Sequence, residues 1–182
     1  MVQPHSPHFD YQALASLLGA AAGDSDLFQA IADAPFASPV PAALIFLGIV
    51  VLLQVNPAAK MIERVALSQT EMARMTTDVT AVPFHDIKIP LNHYDNIIAH
   101  AIASGEPSDT TDWRFLFEPA MTPEQARINQ ANAGIAYSAV YPLAARSGGA
   151  LIFSYFQYQH KIGEQQLEFM QKYSLLADRA LS

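Results

Sequence analysis

One uninterrupted apolar segment constrains the fold of this chain more than any other feature. Residues 40–53 read VPAALIFLGIVVLL, fourteen residues without a charged side chain. As a helix the segment would be roughly 21 Å long at about 1.5 Å per residue, shorter than the roughly 30 Å hydrocarbon core of a bilayer. Ser38, Pro39 and Pro41 open it, and proline is tolerated in a first helical turn. We therefore predict a buried core helix at residues 40–53, not a membrane span.

The composition indicates a single folded domain without sulfur chemistry. The chain has 182 residues, of which 51% are hydrophobic and 15% are charged, as in a compact domain with a large core. The absence of cysteine excludes disulfides, thiolate metal sites and cysteine nucleophiles, and we expect a cytoplasmic location. The net charge of -7 and the absence of any basic cluster argue against a nucleic-acid partner. The N-terminus resembles neither a signal peptide nor an anchor, so we expect no membrane partner.

After Pro57 the hydrophobic pattern changes from helical spacing to alternation. Alternating residues predict short strands at residues 62–69, 75–82 and 87–91, with a turn at residues 71–74. The third strand is expected at a sheet edge because Pro90 cannot donate a hydrogen bond to a neighbour.

The second half of the chain has clear start and stop signals. A helix follows Asn92 and ends at Gly105, and a capping box at Thr122 begins a weakly apolar helix that we interpret as a lid. Two strands flank a glycine turn at residues 146–149, and a last helix runs from Gly163 to the C-terminus. This order predicts an α+β fold with a mostly antiparallel sheet sandwiched by helices.

Four segments in this order resemble the C-terminal two thirds of a GAF domain, a sensory fold related to the PAS domain. The segments are IKIPL at residues 87–91, IIAHAIASGEP at 97–107, AYSAVYPLAARSGGALIFSYF at 136–156 and KIGEQQLEFMQKYSLLADRAL at 161–181. The resemblance covers mainly residues 87–182 and implies a GAF-like fold with extra N-terminal helices. We therefore divide the chain into an N-terminal helical extension at residues 1–36 and a GAF-like domain at residues 37–182.

The chain also departs from known GAF domains in ways that limit its function. Members that carry a bilin attach it through a cysteine, and members that reduce free methionine sulfoxide depend on cysteines, whereas this chain has none. The Asn-Lys…Phe…Asp-Glu pattern of cyclic-nucleotide-binding members is absent as well. We expect no cofactor.

The resemblance places residues 111–119, TDWRFLFEP, at the border of the ligand pocket. Trp113, Phe115 and Phe117 around Arg114 would suit a planar or anionic ligand held by stacking and charge. We therefore expect Trp113→Ala or Arg114→Ala to abolish ligand binding while the fold is retained. The alternative is that these side chains only fill the space under a long connection.

Four aromatic residues of the predicted hairpin are further candidates for ligand contacts. Tyr137, Tyr141, Phe153 and Tyr155 alternate along the two strands, so cross-strand pairs can share one face of the sheet. Core packing explains these residues equally well, because buried tyrosines usually find a partner within the protein.

The sequence contains no concentrated catalytic or metal-binding motif. His93 and His100 are seven residues apart, whereas zinc ligands on one helix are usually three or four apart. There is no Gly-x-Ser-x-Gly elbow, no phosphate-binding loop and no Gly-x-Gly-x-x-Gly motif. We predict neither a metal site nor an enzyme.

The leading hypothesis is a non-catalytic sensory or regulatory module that binds a small molecule between the sheet and the lid. Ligand binding would order residues 109–134, and the first and last helices would form a homodimer that signals to a downstream protein. One alternative is a structural or dimerisation scaffold without a ligand. The other is a small enzyme that uses histidine and tyrosine as acid and base.

Overall fold

Six antiparallel strands form the centre of the protein in a computed structural model, which describes residues 9–80, 82–156 and 162–182. Across the sheet the strands run in the order β3-β2-β1-β6-β5-β4, and every neighbouring pair is antiparallel. The strands are β1 (Leu47–Asn56), β2 (Met61–Leu67), β3 (Ile89–Pro90), β4 (Ser108–Thr110), β5 (Ile135–Leu143) and β6 (Gly149–Phe156).

Two layers of helices cover the two faces of the sheet. The terminal-helix layer contains α1 (Tyr11–Gly19), α2 (Asp24–Asp33), α3 (Pro39–Leu44) and α8 (Glu164–Leu181). The middle-helix layer contains α4 (Glu71–Asp78), α5 (Ile97–Ser104), α6 (Arg114–Phe117) and α7 (Pro123–Ala133). Two short 3₁₀ turns, Ala34–Phe36 and Phe84–Asp86, complete the connections. The predicted α+β fold, a mostly antiparallel sheet sandwiched by helices, is confirmed.

The predicted core helix at residues 40–53 is wrong. The segment divides into the short helix α3 and the central strand β1, with a turn at Phe46, whose φ is 61°. Alternate side chains of β1 enter the two cores, so both of its faces are buried and its sequence is continuously apolar. A short apolar run of this kind is compatible with either a buried helix or a buried strand, and the β-branched residues of β1 favour the strand.

The predicted strand at residues 75–82 and the turn at 71–74 are also wrong, because α4 occupies residues 71–78. Thr70 caps this helix by accepting from the backbone N–H of Ala73 at 3.1 Å, and the Thr70 hydroxyl donates to the Gly48 carbonyl of β1 at 3.2 Å. Threonine and apolar residues are mixed in this segment because they follow the spacing of a helix, and we had interpreted this mixture as the alternation of a strand. Of the predicted strand, Ala81 lies outside the described residues.

Most other predicted elements are confirmed. β2 begins one residue before the predicted strand at 62–69 and ends two residues before the end of that prediction. β3 is an edge strand that contains Pro90. The hairpin and α8 have the predicted bounds to within a few residues. Gly105 and Gly134 end α5 and α7 in the left-handed conformation. The N-cap of α5 is Asn96 and not Asn92. α7 begins with the predicted Thr122 capping box.

The terminal helices belong to the same core as one face of the sheet. Leu14 of α1 and Ile31 of α2 are buried with Phe169 and Tyr173 of α8, and the Tyr173 hydroxyl donates to the Ile31 carbonyl at 2.6 Å. The division of the chain at residue 36 stays a prediction. No helix among the described residues is both long and apolar enough to cross a membrane.

Strands β1 and β6 pack closely at Gly149, and a substitution at this residue tests that packing. A Cβ atom at this position would lie 2.3 Å from the Leu53 carbonyl oxygen of β1, and neither backbone can move without breaking the sheet. We expect Gly149→Ala to lower the free energy of unfolding by about 2 kcal/mol in urea denaturation. Gly19→Ala is the control, because a Cβ there has no neighbour within 4 Å and alanine favours helix. Equal stabilities of the two variants would contradict this packing.

Candidate functional site

A cavity of about 50 Å³ lies between the sheet and α4, and we call it the α4 cavity. A cavity of this volume admits only a small molecule. Fifteen described residues line it: Ile49, Val51, Arg64, Leu67, Ala73, Thr76, Thr77, Thr80, Phe84, Ile87, Trp113, Leu116, Phe117, Ile152 and Ser154. Most of these side chains are aliphatic or aromatic, so the few polar groups determine what the cavity can bind.

One face of α4 and the residues after it cover the cavity. Ala73, Thr76, Thr77 and Thr80 are spaced three, four and seven residues apart, which places them on the same side of a helix. Each threonine hydroxyl donates to a backbone carbonyl one turn earlier, at 2.7 to 2.8 Å. These hydroxyl protons are therefore already used, and α4 contributes hydrogen-bond acceptors and apolar groups rather than free donors. The cover of this cavity is α4, not the helix α7 that we interpreted as the lid.

Arg64 is the charged side chain of the cavity. It is only 5% exposed, and its Nε and Nη2 atoms are buried without a hydrogen-bond partner among the described residues. The guanidinium carbon lies 4.6 Å from the centre of the Phe117 ring and 6.0 Å from that of Phe84. A buried cation without a carboxylate is rare, because burial removes the hydration of the charge.

A β-bulge directly follows Arg64 on β2, while Arg64 itself lies on the same face of the strand as Ile62. Arg64 pairs with Leu53 of β1, whereas Ala66 pairs with Leu52, so Val65 is an extra residue on β2. Val65 and Ala66 both pack against the terminal-helix core, while Arg64 lies on the opposite face. Bulges are common next to functional sites.

The surroundings of Arg64 do not neutralise its charge. The neighbouring Glu63 accepts a hydrogen bond from Lys88 at 3.0 Å instead. Desolvation lowers the pKa of the Arg64 guanidinium to about 9, which still leaves it a cation at neutral pH. The cavity wall therefore contains a buried positive charge with two nitrogen atoms that have no hydrogen-bond partner among the described residues.

A hydrogen-bonded chain connects Trp113 with the cavity wall. The indole N–H of Trp113 donates to the Ser138 hydroxyl at 2.9 Å, and the hydroxyls of Ser138 and Ser154 are 2.8 Å apart. Gln130 of α7 accepts from the Trp113 backbone N–H at 2.9 Å and fixes the start of α6. Trp113 therefore lines the cavity as one of its walls, with its only side-chain donor already satisfied.

Arg114 and Phe115 lie outside the cavity lining. The Arg114 guanidinium carbon is 4.3 Å from the centre of the Phe115 ring, and its Nε is 3.3 Å from an Asp112 carboxylate oxygen. Both side chains are half-buried. Of the candidates in residues 111–119, Trp113 and Phe117 line the cavity and Arg114 and Phe115 do not, and the cation of the cavity is Arg64 of β2.

The four hairpin aromatics lie on the opposite face of the sheet from the cavity. Tyr141, Phe153 and Tyr155 are buried in the core beneath α8, and Tyr137 packs against that core. Phe153 has edge contacts with Tyr141, Phe169 and Tyr173. The sheet therefore separates these four residues from Trp113, and the predicted set of ligand residues does not form one site.

Sequence analysis missed Arg64, although the sequence contained a signal. In β2 the alternation places Arg64 in phase with Ile62 and Ala66, which are apolar, rather than with Glu63. An arginine on the apolar side of an alternating strand indicates a buried charge that has a functional role. The histidines are not brought together, and no cluster of metal-ligating side chains occurs within residues 9–80, 82–156 and 162–182.

Comparison with known proteins relates this architecture to solved structures. No family model and no curated protein sequence matches the chain. The GAF domain of a phosphoenolpyruvate-protein phosphotransferase from Acinetobacter is similar with a TM-score of 0.61 and 10% identity, over 96% of this chain and 94% of that one. The phycoerythrobilin-bound GAF domain of a cyanobacterial phytochrome is similar with a TM-score of 0.57 and 14% identity, over 95% and 97% of the two chains. The chain has the GAF fold.

The GAF fold by itself does not decide the activity. A free methionine-R-sulfoxide reductase from Neisseria meningitidis, solved in complex with its substrate, is similar with a TM-score of 0.54 and 12% identity, over 100% of this chain and 96% of that one. The function must therefore be argued from the side chains of the α4 cavity.

Because of the buried tyrosines beneath α8, we expect the protein to lose stability at alkaline pH. Burial raises the pKa of Tyr155 well above its usual value near 10, and burial also raises the pKa of Tyr173. The unfolded state then releases these protons first, so the stability is fully present below about pH 10 and falls as pH rises further.

We expect Tyr155→Phe to make the fall in unfolding free energy between pH 10 and pH 12 less steep. At pH 7 this variant should be as stable as the wild type or more stable, because the Tyr155 hydroxyl is buried without a partner in the described part of the chain. Tyr173→Phe should instead lose about 1 kcal/mol at pH 7, since it removes the hydrogen bond to Ile31. Urea denaturation across this pH range measures both, and identical pH profiles for all three proteins would contradict the burial of these hydroxyls.

Proposed function

We propose that this chain is a non-catalytic sensory or regulatory module that binds a small molecule in the α4 cavity. The observation that carries the proposal is the buried guanidinium of Arg64, which lines a cavity and has two nitrogen atoms without a hydrogen-bond partner in the described part of the chain. Proteins rarely bury such a group unless a partner satisfies it. A ligand in the cavity would supply that partner.

Arg64 also argues against the scaffold alternative. A buried, unpaired charge costs on the order of several kcal/mol, of which stacking on Phe117 offsets only a part. A domain selected only for stability or for assembly would gain by having an aliphatic side chain at this position. A ligand that pairs with Arg64 would offset the free-energy cost of burying its charge.

The residues around the cavity do not favour an enzyme. Its polar groups, within the described lining, are the Arg64 guanidinium and the hydroxyls of Ser154 and three threonines, with no carboxylate or imidazole to act as acid or base. The chain also lacks the cysteines that the GAF resemblance associates with methionine sulfoxide reduction. Binding is therefore the activity that the side chains support.

A route from the cavity to the terminal helices supports a regulatory role. Thr70, the cap of α4, donates to the Gly48 carbonyl, and Gln166 of α8 donates to the Ile45 carbonyl at 3.2 Å. The turn that joins α3 to β1 is thus held by α4 on one side and by α8 on the other. We propose that a ligand under α4 changes the balance between two arrangements of this turn, and also orders residues 109–134 through the Gln130 contact with Trp113.

We further propose a homodimer formed by the terminal helices, with a downstream signalling protein as the receiver. Leu167 and Leu175 lie two turns apart on α8 and are 42% and 61% exposed. Exposed leucines at this spacing form an apolar strip that a second copy of the same helix can cover. We retain the sequence-based expectations of a cytoplasmic location and of no nucleic-acid or membrane partner.

The dimer proposal predicts that charge on the α8 strip separates the subunits. We expect Leu175→Glu to change the molar mass in multi-angle light scattering from that of a dimer to that of a monomer, because a buried carboxylate would be unpaired. Ile128→Glu on α7 is the matched control, since Ile128 is similarly exposed at 52% but lies in the other helix layer. A monomeric wild type, or dissociation by Ile128→Glu alone, would contradict the proposal.

The binding proposal predicts that a larger side chain in the cavity abolishes ligand binding. Ala73 is fully buried on α4, so Ala73→Leu would fill the space beneath the helix. We expect acids, amides or alcohols with three or four carbon atoms to raise the melting temperature of the wild type and not that of Ala73→Leu. Met75→Leu on the exposed side of α4 is the control and should respond as the wild type does. Equal responses in Ala73→Leu and wild type would place any binding elsewhere.

A further inference from the structure

We infer that the ligand of the α4 cavity is a small monocarboxylate with a short apolar tail, bound by the guanidinium of Arg64. The inference rests on the proposed function and extends it by naming the chemical class of the ligand. Three observations support it: the unpartnered edge of the Arg64 guanidinium, the aromatic rings packed against that group, and the volume and lining of the cavity.

The unpartnered atoms of Arg64 are the pair that recognises a carboxylate. Nε–H and one Nη2–H lie on the same edge of the planar guanidinium and point in parallel directions. Their spacing matches the two oxygens of a carboxylate, which accepts both hydrogen bonds at once. Both atoms are buried and have no partner in the described part of the chain, so neither hydrogen bond of this edge is made within it.

The position of the guanidinium is already fixed without a ligand. Phe117 packs at 4.6 Å from its central carbon and Phe84 at 6.0 Å, so aromatic rings surround the charge. Stacking of this kind leaves the edge of the group free while it restricts rotation. A carboxylate would therefore bind without a large loss of side-chain entropy.

The rest of the cavity limits the ligand to one charge and a small size. Arg64 is the only cation among the described lining residues, and Ile49, Val51, Ile87 and Ile152 form much of the remaining wall. A phosphate dianion or a dicarboxylate would bury a second charge without a partner. The volume of about 50 Å³ is far too small for a nucleotide, so the candidates are short aliphatic acids such as propionate, butyrate and isobutyrate, which are compact and carry a single charge.

Isothermal titration calorimetry at pH 7 with butyrate, isobutyrate, butyramide and inorganic phosphate tests this assignment. We expect the wild type to bind the two carboxylates at one equivalent per chain, and butyramide and phosphate at least about tenfold more weakly. Arg64→Met should lose the preference for butyrate over butyramide. Arg64→Lys should retain only part of it, because an ammonium does not form the paired hydrogen bonds.

Arg114→Met is the matched control for the loss of an arginine. Arg114 has an acidic partner in Asp112 and lies outside the cavity lining, so butyrate affinity should stay within about twofold of the wild type. Thermal unfolding controls for structural damage. Arg64→Met should melt at the same temperature as the ligand-free wild type or higher, because an unpaired buried charge is replaced by an apolar chain of similar length.

The possible outcomes separate the ligand class from the proposed function. Butyramide binding as tightly as butyrate, with loss in Ala73→Leu but not in Arg64→Met, would overturn the carboxylate assignment and leave the binding function intact. Butyrate binding that depends on Arg114 and not on Arg64 would also overturn it. Absence of binding by every compound, together with an Arg64→Met variant that is less stable than the wild type, would overturn both, since Arg64 would then be structural.

Discussion

The burial of β1 on both faces is the constraint on which the rest of the structure depends. A central strand of this kind must be covered by two separate layers, and the alternate side chains of β1 supply one core with Val50 and Leu52 and the other with Val51 and Leu53. The helices described before β1 and after β6 cover one face. The helices described between β2 and β5 cover the other, and the α4 cavity lies within that second layer.

The two layers differ in how completely they are packed. Beneath α8, aromatic rings of Phe153, Phe169 and Tyr173 contact one another, and Tyr173 is tied to α2 by a hydrogen bond. Beneath α4, a cavity remains beside a cation that the described protein groups do not satisfy. The first layer has the characteristics of a structural core, and the second those of a site that a ligand completes.

Local signals predicted the elements whose ends are determined by their own residues. The capping box at Thr122, the left-handed glycines 105 and 134, and the hairpin turn at 146–149 act over a few residues, and the structure has all of them. The nature of residues 40–53 could not be determined in this way, since a short apolar run fits a helix and a strand equally well until its neighbours are known. The same applies to α4, because the mixture of threonine and apolar residues at 75–82 looks like strand alternation in the sequence.

The candidate site was less accessible to prediction than the fold. Trp113 was found because it stands among other aromatics, and it lines the cavity. Arg64 was missed although it alternates with the apolar Ile62, because alternation does not show that the face shared by these two residues borders a cavity. Tyr137, Tyr141, Phe153 and Tyr155 were grouped with Trp113 because sequence spacing shows which residues share a face but not which face is turned to the cavity.

The most direct test of the account is an NMR titration of the arginine Nε–H groups in ¹⁵N-labelled protein with butyrate. The Arg64 signal can be assigned by its absence from the Arg64→Met spectrum. The account predicts that this signal alone shifts strongly among the arginines and that the shift saturates at one equivalent of butyrate per chain. An Arg64 signal that stays unchanged while butyrate binds, or a shift of the Arg114 signal in its place, would contradict it.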